Sequence, residues 1–207
     1  MSIIIARTAI VDPRVELGDD SVIEDYVILG SGTAAADAPL RIGQGARIRS
    51  HTVVYRESQI GDRFQTGHGA MIRESNSIGD DVSIGTHSIV EHHVEIGDRV
   101  RVHSNAFIPE YSVIEEGAWI GPSVTFTNAR YPLGRDAKAS LRGPIVRRGA
   151  KIGANATLLP GVIIGRDALV GAGTVVVHDV PDGAVVVGNP ARVVRQVTDI
   201  EEYRADS

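Results

Sequence analysis

At 207 residues the chain is long enough for one domain or two small ones, so length alone does not decide. Its 21 basic against 26 acidic residues leave no surplus of Lys and Arg to neutralise phosphates, which argues against nucleic acid or an anionic membrane as partner. Cysteine is absent, which excludes disulfide frameworks, thiol nucleophiles and thiolate metal sites.

The first ten residues, MSIIIARTAI, have no basic segment ahead of an apolar stretch, and no apolar run approaches the ~20 residues of a membrane span. A cytoplasmic protein without signal peptide or membrane association is expected. Aromatic residues are only 4% of the chain while 23 residues are Gly, so a core has to be built from Ile, Val, Leu and Ala. That bias points to a repeat.

The repeat is audible from the start. Ile5, Val11, Leu17, Ile23 and Leu29 recur every six positions. The beat shifts across Gly30 to Arg41, where TAAADAPL reads as a loop, and resumes at Ile42. From there it runs through Ile48, Val54, Ile60, Thr66, Ile72 and onward to Phe126; every step but Thr66 and Phe126 is Ile or Val. The fifth residue of most hexads is Ala, Ser, Thr or Val, and it lies two before the next aliphatic residue. Both therefore point to one face of a short strand, with turn residues between strands. Period six with corners is the pattern of a parallel β-helix, in which no coil buries its inner face without its neighbours.

If three hexads make one coil, residues eighteen apart stack and the hexads sort into three sides. The first reads IGQG, IGDR, IGDD, IGDR and IEEG from Ile42 to Ile114, a corner of Gly and Asp turn residues. The second, from Ile48, carries His51, His68, His87 and His103 on its corner. The third, from Val54, lacks Gly after the aliphatic residue and has a column of Arg56, Glu74, His92, Glu110 and Asn128. Residues 127–145 interrupt the beat at this third corner and read as an inserted loop with Asn128, Tyr131 and Pro132 near its start. The beat returns at Val146, Ile152, Leu158, Ile164, Val170 and Val176. One solenoid over roughly residues 5–180 is expected, as a single domain spanning 1–207. A C-terminal extension over 187–207 follows, in which Gln196 to Tyr203 caps the end as helix or strand.

The segments IGDDVSIG, IGANATLLPGVIIG and GNPAR resemble the hexapeptide-repeat acyltransferases from about Ile5 to Arg195. The resemblance implies an all-β, left-handed parallel β-helix, working as a homotrimer with active sites between neighbouring helices. The stretch from Glu110 to Pro132 is similar to the sugar-nucleotide N-acetyltransferases, where a Glu lies one coil before an FTNDxYP loop. That likeness implies catalytic roles for Asn128 and Glu110, and an acetyl-CoA-dependent transfer to a sugar, in particular a nucleotide-linked amino sugar. Ala129 replaces the family's Asp after the Asn, which leaves the acceptor open. O-acetylation of a sugar is the neighbouring alternative, although the His that many O-acetyltransferases carry in this loop is missing between 127 and 145.

Thioester aminolysis needs the amine positioned, a proton received and an oxyanion stabilised. Two routes are open. Asn128 and Glu110 orient a neutral amine that loses its proton to solvent or coenzyme, or a histidine is the base. His92 is the first candidate, because Glu74 and Glu110 one coil away on either side favour its imidazolium. Glu74, His68, His87 and Tyr131 are assigned to the acceptor, with His68 and His87 presented by a neighbouring subunit. Gly153, Ala154, Gly171 and Ala172 stack as small corner residues. The resemblance places the pantetheine arm of the coenzyme there and Arg192 near its nucleotide.

A metal site is the rival reading. TGHGAMIR, with His51 seventeen residues before His68, resembles the γ-class carbonic anhydrases, but Arg73 stands where the third ligand belongs. Arg does not ligate metals, and His87 and His92 each fall one place late in their hexads. No metal is expected.

Overall fold

The computed structural model describes residues 2–32 and 38–203; most of the loop expected from Thr33 lies outside the described residues. Two-residue strands stack into three parallel sheets, one per side of the solenoid. The first side pairs Gln59–Ile60, Ser77–Ile78 and Glu95–Ile96, the second Gln65–Thr66, Ser83–Ile84 and Arg101–Val102, the third Met71–Ile72, Ile89–Val90 and Phe107–Ile108. Register is eighteen residues per coil, as in Met71 against Val53 and Ile89.

The core is the one the repeat dictates. Ile48, Ile72, Ile108 and Ile120 are fully buried, as are the fifth-position residues Ala46, Phe64, Val82 and Val124. Buried polar fifth positions are satisfied, as burial requires: Ser88 Oγ donates to the His103 carbonyl at 2.8 Å, and Asn76 Oδ1 accepts from the Val94 amide at 2.7 Å. The fourth residue of most hexads turns the corner in the left-handed region, with φ of 62° at His51, 57° at Asp81 and 56° at His93. Such a residue costs ~1 kcal/mol or more when it is not Gly, so stacking of the coils holds the corners.

The Gly-Asp pattern of the first corner has a specific cause. Asp62, Asp80 and Asp98 each accept, through Oδ1, the backbone amide of the third residue of the coil before: Gln44 at 2.9 Å, Asp62 at 2.8 Å and Asp80 at 2.9 Å. A Cβ on Gly61 would lie 2.3 Å from Asp80 Oδ1, so this column of carboxylates admits only Gly beneath it.

Both interruptions of the beat fall on the third corner. The sheet of the first side pairs Leu17 with Ile42 and Ile114 with Val146. Side chains bridging those steps, Glu16 with Arg41 and Glu115 with Arg147, are 25 and 32 residues apart. At the lower insertion Arg14 hydrogen-bonds Asp12 and pushes its carboxyl down to about 2, with Arg56 adding a 2.9 Å ion pair.

The end of the chain departs from the expected cap in detail. Ala184–Val187 continues the second side in parallel with Leu169–Val170, and Arg192–Gln196 returns antiparallel to it. A hairpin therefore closes that sheet, followed by single 3₁₀ turns at Val197–Asp199 and Glu201–Tyr203. Among the described residues, no helix is long and apolar enough to cross a membrane.

The three outer faces differ in chemistry. Outward residues of the first side include Glu16, Arg41, Gln59 and Glu95, and those of the second include Arg47, Gln65, Ser83 and Arg101. On the third side Ile10, Ile28, Val53, Met71, Ile89 and Phe107 stack in register. At a strand spacing of ~4.8 Å this forms a continuous apolar stripe between the second and third corners, half-buried apart from the exposed Ile10.

Candidate active site

The site is built where the third corner meets the long loop. Phe126, fully buried, anchors the chain in the core before it leaves the coil. Thr127 Oγ1 then donates to the Leu158 carbonyl at 3.0 Å, and the Arg142 amide donates to the Asn128 carbonyl at 2.9 Å, which closes the neck of the loop. On the return, Gly143 passes so close over Ser112 that a Cβ would lie 2.3 Å from its nitrogen. Asn128 is thus fixed from both sides. Its Nδ2 donates to Glu110 Oε2 at 2.6 Å and makes a longer contact of 3.4 Å with the Glu110 carbonyl. That bond assigns the amide's orientation and leaves Oδ1 without an intrachain partner among the described residues.

Glu110 also faces His92, with Oε1 3.5 Å from Nε2. His92 Nδ1 in turn lies 2.7 Å from Nδ1 of His93, and the Tyr111 ring stands against both imidazoles at 6.2 and 5.7 Å. Asn128, Glu110 and His92 therefore come together as the column reading expects.

Glu74 does not complete that column. Its carboxylate is gripped at 2.8 Å on each oxygen by Arg73, which also reaches Glu91 at 3.1 Å and lies over the Tyr55 ring. The Arg73 hydrogen bond, with a smaller contribution from the charge of His92, holds Glu74 below the usual carboxylate range. The adjacent guanidinium takes this carboxylate, so a symmetrical Glu–His–Glu arrangement is not formed. The sequence reading missed His93, Tyr111 and the Arg73 clamp; His93 and Tyr111 are eighteen apart in a stacking column of their own.

His68 and His87 occupy the second corner, away from His92. His68 Nδ1 meets Ser50 Oγ at 2.9 Å. The His87 ring lies against Gly69, where a Cβ would come within 2.7 Å of it. His51 stacks at 5.0 Å on Tyr26 and His103 at 4.6 Å on Trp119. Among the described residues, no three His, Asp or Glu side chains gather as a metal-binding group. Tyr131 and Leu133 are strongly exposed at the tip of the loop.

Gly153, Ala154, Gly171 and Ala172 continue the second corner upward. Gly153 admits no Cβ because the Ala172 nitrogen would lie 2.5 Å from it, and Gly171 faces Val187 at 2.8 Å. The amides of Gly153 and Gly171 are bound to Val170 and Val186 carbonyls. Those of Ala154 and Ala172 have no acceptor among the described residues, in contrast to the carboxylate-capped amides at the same position of the first corner. Arg192 is exposed on the final strand and donates to the Ala191 carbonyl at 2.8 Å.

A family model described as bacterial transferase hexapeptide, six repeats, matches residues 77–110 and 143–178. The 2,3,4,5-tetrahydropyridine-2,6-dicarboxylate N-acetyltransferase of Staphylococcus aureus (strain JH9) is 44% identical over 62 residues, 30% of this chain. The chain spans 26% of the length of the curated relatives it matches. Among solved structures, the UDP-N-acetylglucosamine acyltransferase from Campylobacter jejuni is similar over 98% of this chain and 78% of its own, with a TM-score of 0.60 at 18% identity. The corresponding Francisella novicida enzyme gives 95%, 71%, 0.55 and 18%. Likeness at that identity establishes a common fold. The matched repeats lie within the three-sheet solenoid, a fold that this chain shares with those two acyltransferases.

Proposed function

We propose that the chain is a cytoplasmic, acetyl-CoA-dependent acyltransferase that N-acetylates a nucleotide-linked amino sugar and works as a homotrimer. The observation that carries this reading is the Asn128–Glu110 hydrogen bond at the root of the long loop, which fixes a polar pair with Asn128 Oδ1 free. The description of the matched repeat and the N-acetyltransferase name of the S. aureus relative support the reaction class.

In the reaction the acceptor amine attacks the thioester carbonyl. The C–S bond breaks as the N–C bond forms, the amine loses a proton, and the departing thiolate takes one. Asn128 Oδ1 accepts a hydrogen bond from the amine and directs its lone pair, while Glu110 locks the amide so that the oxygen, not the nitrogen, faces the acceptor. Tyr131 and Glu74 border the acceptor's place. Coenzyme fits the second corner, where the open Ala154 and Ala172 amides offer donors to the amide carbonyls of a pantetheine arm and Gly153 and Gly171 keep the surface low. Arg192 supplies a cation for the nucleotide end.

The apolar stripe of the third side supports the trimer in this reading. The stripe is flanked by the second corner on one edge and the third corner on the other. Three copies packed through this face around a threefold axis bring the third corner of each beside the second corner of the next. His68 and His87 of one subunit then approach Asn128, Glu110 and His92 of its neighbour. Coenzyme and acceptor thereby meet between subunits.

Calorimetric titration with CoA tests the reading. Binding with one molecule per subunit, weakened by Ala172→Asp (which places a carboxylate among the open amides), is the expected outcome. No binding at millimolar CoA contradicts it.

A further inference from the structure

We infer that the base of this site is Nε2 of His93, at the end of a relay running Glu110–His92–His93. The inference rests on the acyl-transfer reading above and deepens it.

Two imidazole Nδ1 atoms 2.7 Å apart share one proton, because two bare nitrogens or two N–H groups would repel. Which ring owns it follows from the other contacts of His92. Its Nε2 faces a Glu110 carboxylate oxygen at 3.5 Å. A carboxylate favours an N–H at that nitrogen and disfavours a lone pair. Neutral His92 therefore carries its hydrogen on Nε2 and accepts at Nδ1. The shared proton belongs to His93 Nδ1, which leaves the His93 Nε2 lone pair as the free basic atom of the pair. His93 is exposed, and the left-handed corner conformation, φ 56°, sets its ring edge-on to His92 at 83° between planes. Tyr111 packs on both rings and restricts their rotation.

The proton path balances without any further reactant. His93 Nε2 takes the proton released by the attacking amine, and its Nδ1 proton passes to His92 Nδ1. The positive charge then rests on His92, beside the Glu110 carboxylate, and His93 is neutral again. The reverse shift returns the proton, through His93 Nε2, to the thiolate leaving group. Glu110 thus has two tasks, holding Asn128 through Oε2 and stabilising the His92 cation through Oε1. His93 receives the proton; His92 is a positioning residue that acts through it.

Nitrogen-15 NMR of the full-length protein labelled at histidine reads the tautomers directly, with His93→Asn used to assign the signals. Asn suits a left-handed corner and keeps a side-chain donor for His92. With both rings neutral, His92 is expected as the Nε2–H tautomer and His93 as the Nδ1–H tautomer. The opposite assignment overturns the relay whether or not any acceptor is turned over, which separates this inference from the acyl-transfer reading. Once an acceptor is in hand, His93→Asn is expected to lower kcat about 10²-fold and to remove the acid limb of the kcat/KM profile, with KM for acetyl-CoA unchanged. Wild-type turnover with the limb intact contradicts a proton-accepting His93.

Discussion

Replacing Asn128 by alanine is expected to lower kcat by about 10²- to 10³-fold while the dissociation constant for CoA stays within about twofold of wild type. The size of the effect follows from what the side chain does. Asn128 Nδ2 is committed to Glu110 at 2.6 Å, so Oδ1 has a fixed direction, and truncation removes the group proposed to orient the attacking lone pair. Coenzyme affinity is expected to be spared because Ala154 and Ala172, proposed above to hold the pantetheine arm, belong to the other corner. The protein remains folded, since Asn128 is half-buried at a loop neck that Thr127 and Arg142 also close. Loss of one partner for Glu110 is worth about 1–3 kcal/mol. Steady-state kinetics beside a CoA titration separates the two effects, and full turnover in Asn128→Ala removes the loop from the mechanism.

The second large effect is expected at the apolar stripe. Phe107→Glu places a carboxylate on the outer face of the third side, at the end of the apolar stripe between Ile89 and Thr125. In an isolated chain that side chain points to solvent, so the solenoid and its melting behaviour survive. In a trimer packed through this face, three carboxylates meet apolar surface without a partner, which costs several kcal/mol per buried charge. Sedimentation velocity is expected to show trimers for the wild type and monomers for the variant. Turnover in the monomer should fall to background, because the second and third corners of different chains no longer meet. A variant that stays trimeric places the interface elsewhere. One that becomes monomeric and remains active shows a site complete within a single chain.

How far the sequence carries the account depends on which interaction sets each residue. The inner face is dictated by period six, because a residue that stacks on its own kind every eighteen positions has nowhere else to go. Ile48, Ile72, Val82 and Ile108 are buried as that period requires. The corner assignment was legible for the same reason, and so was the meeting of Asn128, Glu110 and His92. Columns alone do not reveal sideways partners. Arg73 takes Glu74 from the adjacent position in the chain, and His93 approaches His92 because a left-handed corner turns neighbouring rings toward each other. Columns likewise do not show that the earlier interruption leaves from the same corner as the later one. That emerges only from the pairing of Leu17 with Ile42. Nor does the repeat reveal the purpose of the Gly-Asp corner: Asp62, Asp80 and Asp98 are amide caps reaching between coils, not simple turn formers. No such caps lie above Ala154 and Ala172, whose amides have no acceptor among the described residues.

The most direct measurement is transfer itself. The purified protein is incubated with acetyl-CoA and a panel of nucleotide-linked amino sugars, with their hydroxyl counterparts and 2,3,4,5-tetrahydropyridine-2,6-dicarboxylate as comparators. Thiol release is followed, and products are identified by mass spectrometry. The account predicts one acetyl group added to the nitrogen of an amino sugar, in step with thiol release and abolished with Asn128→Ala. Acetylation of a hydroxyl or of the dicarboxylate in preference to every amine on the panel, or thiol release without any acetylated product, contradicts it.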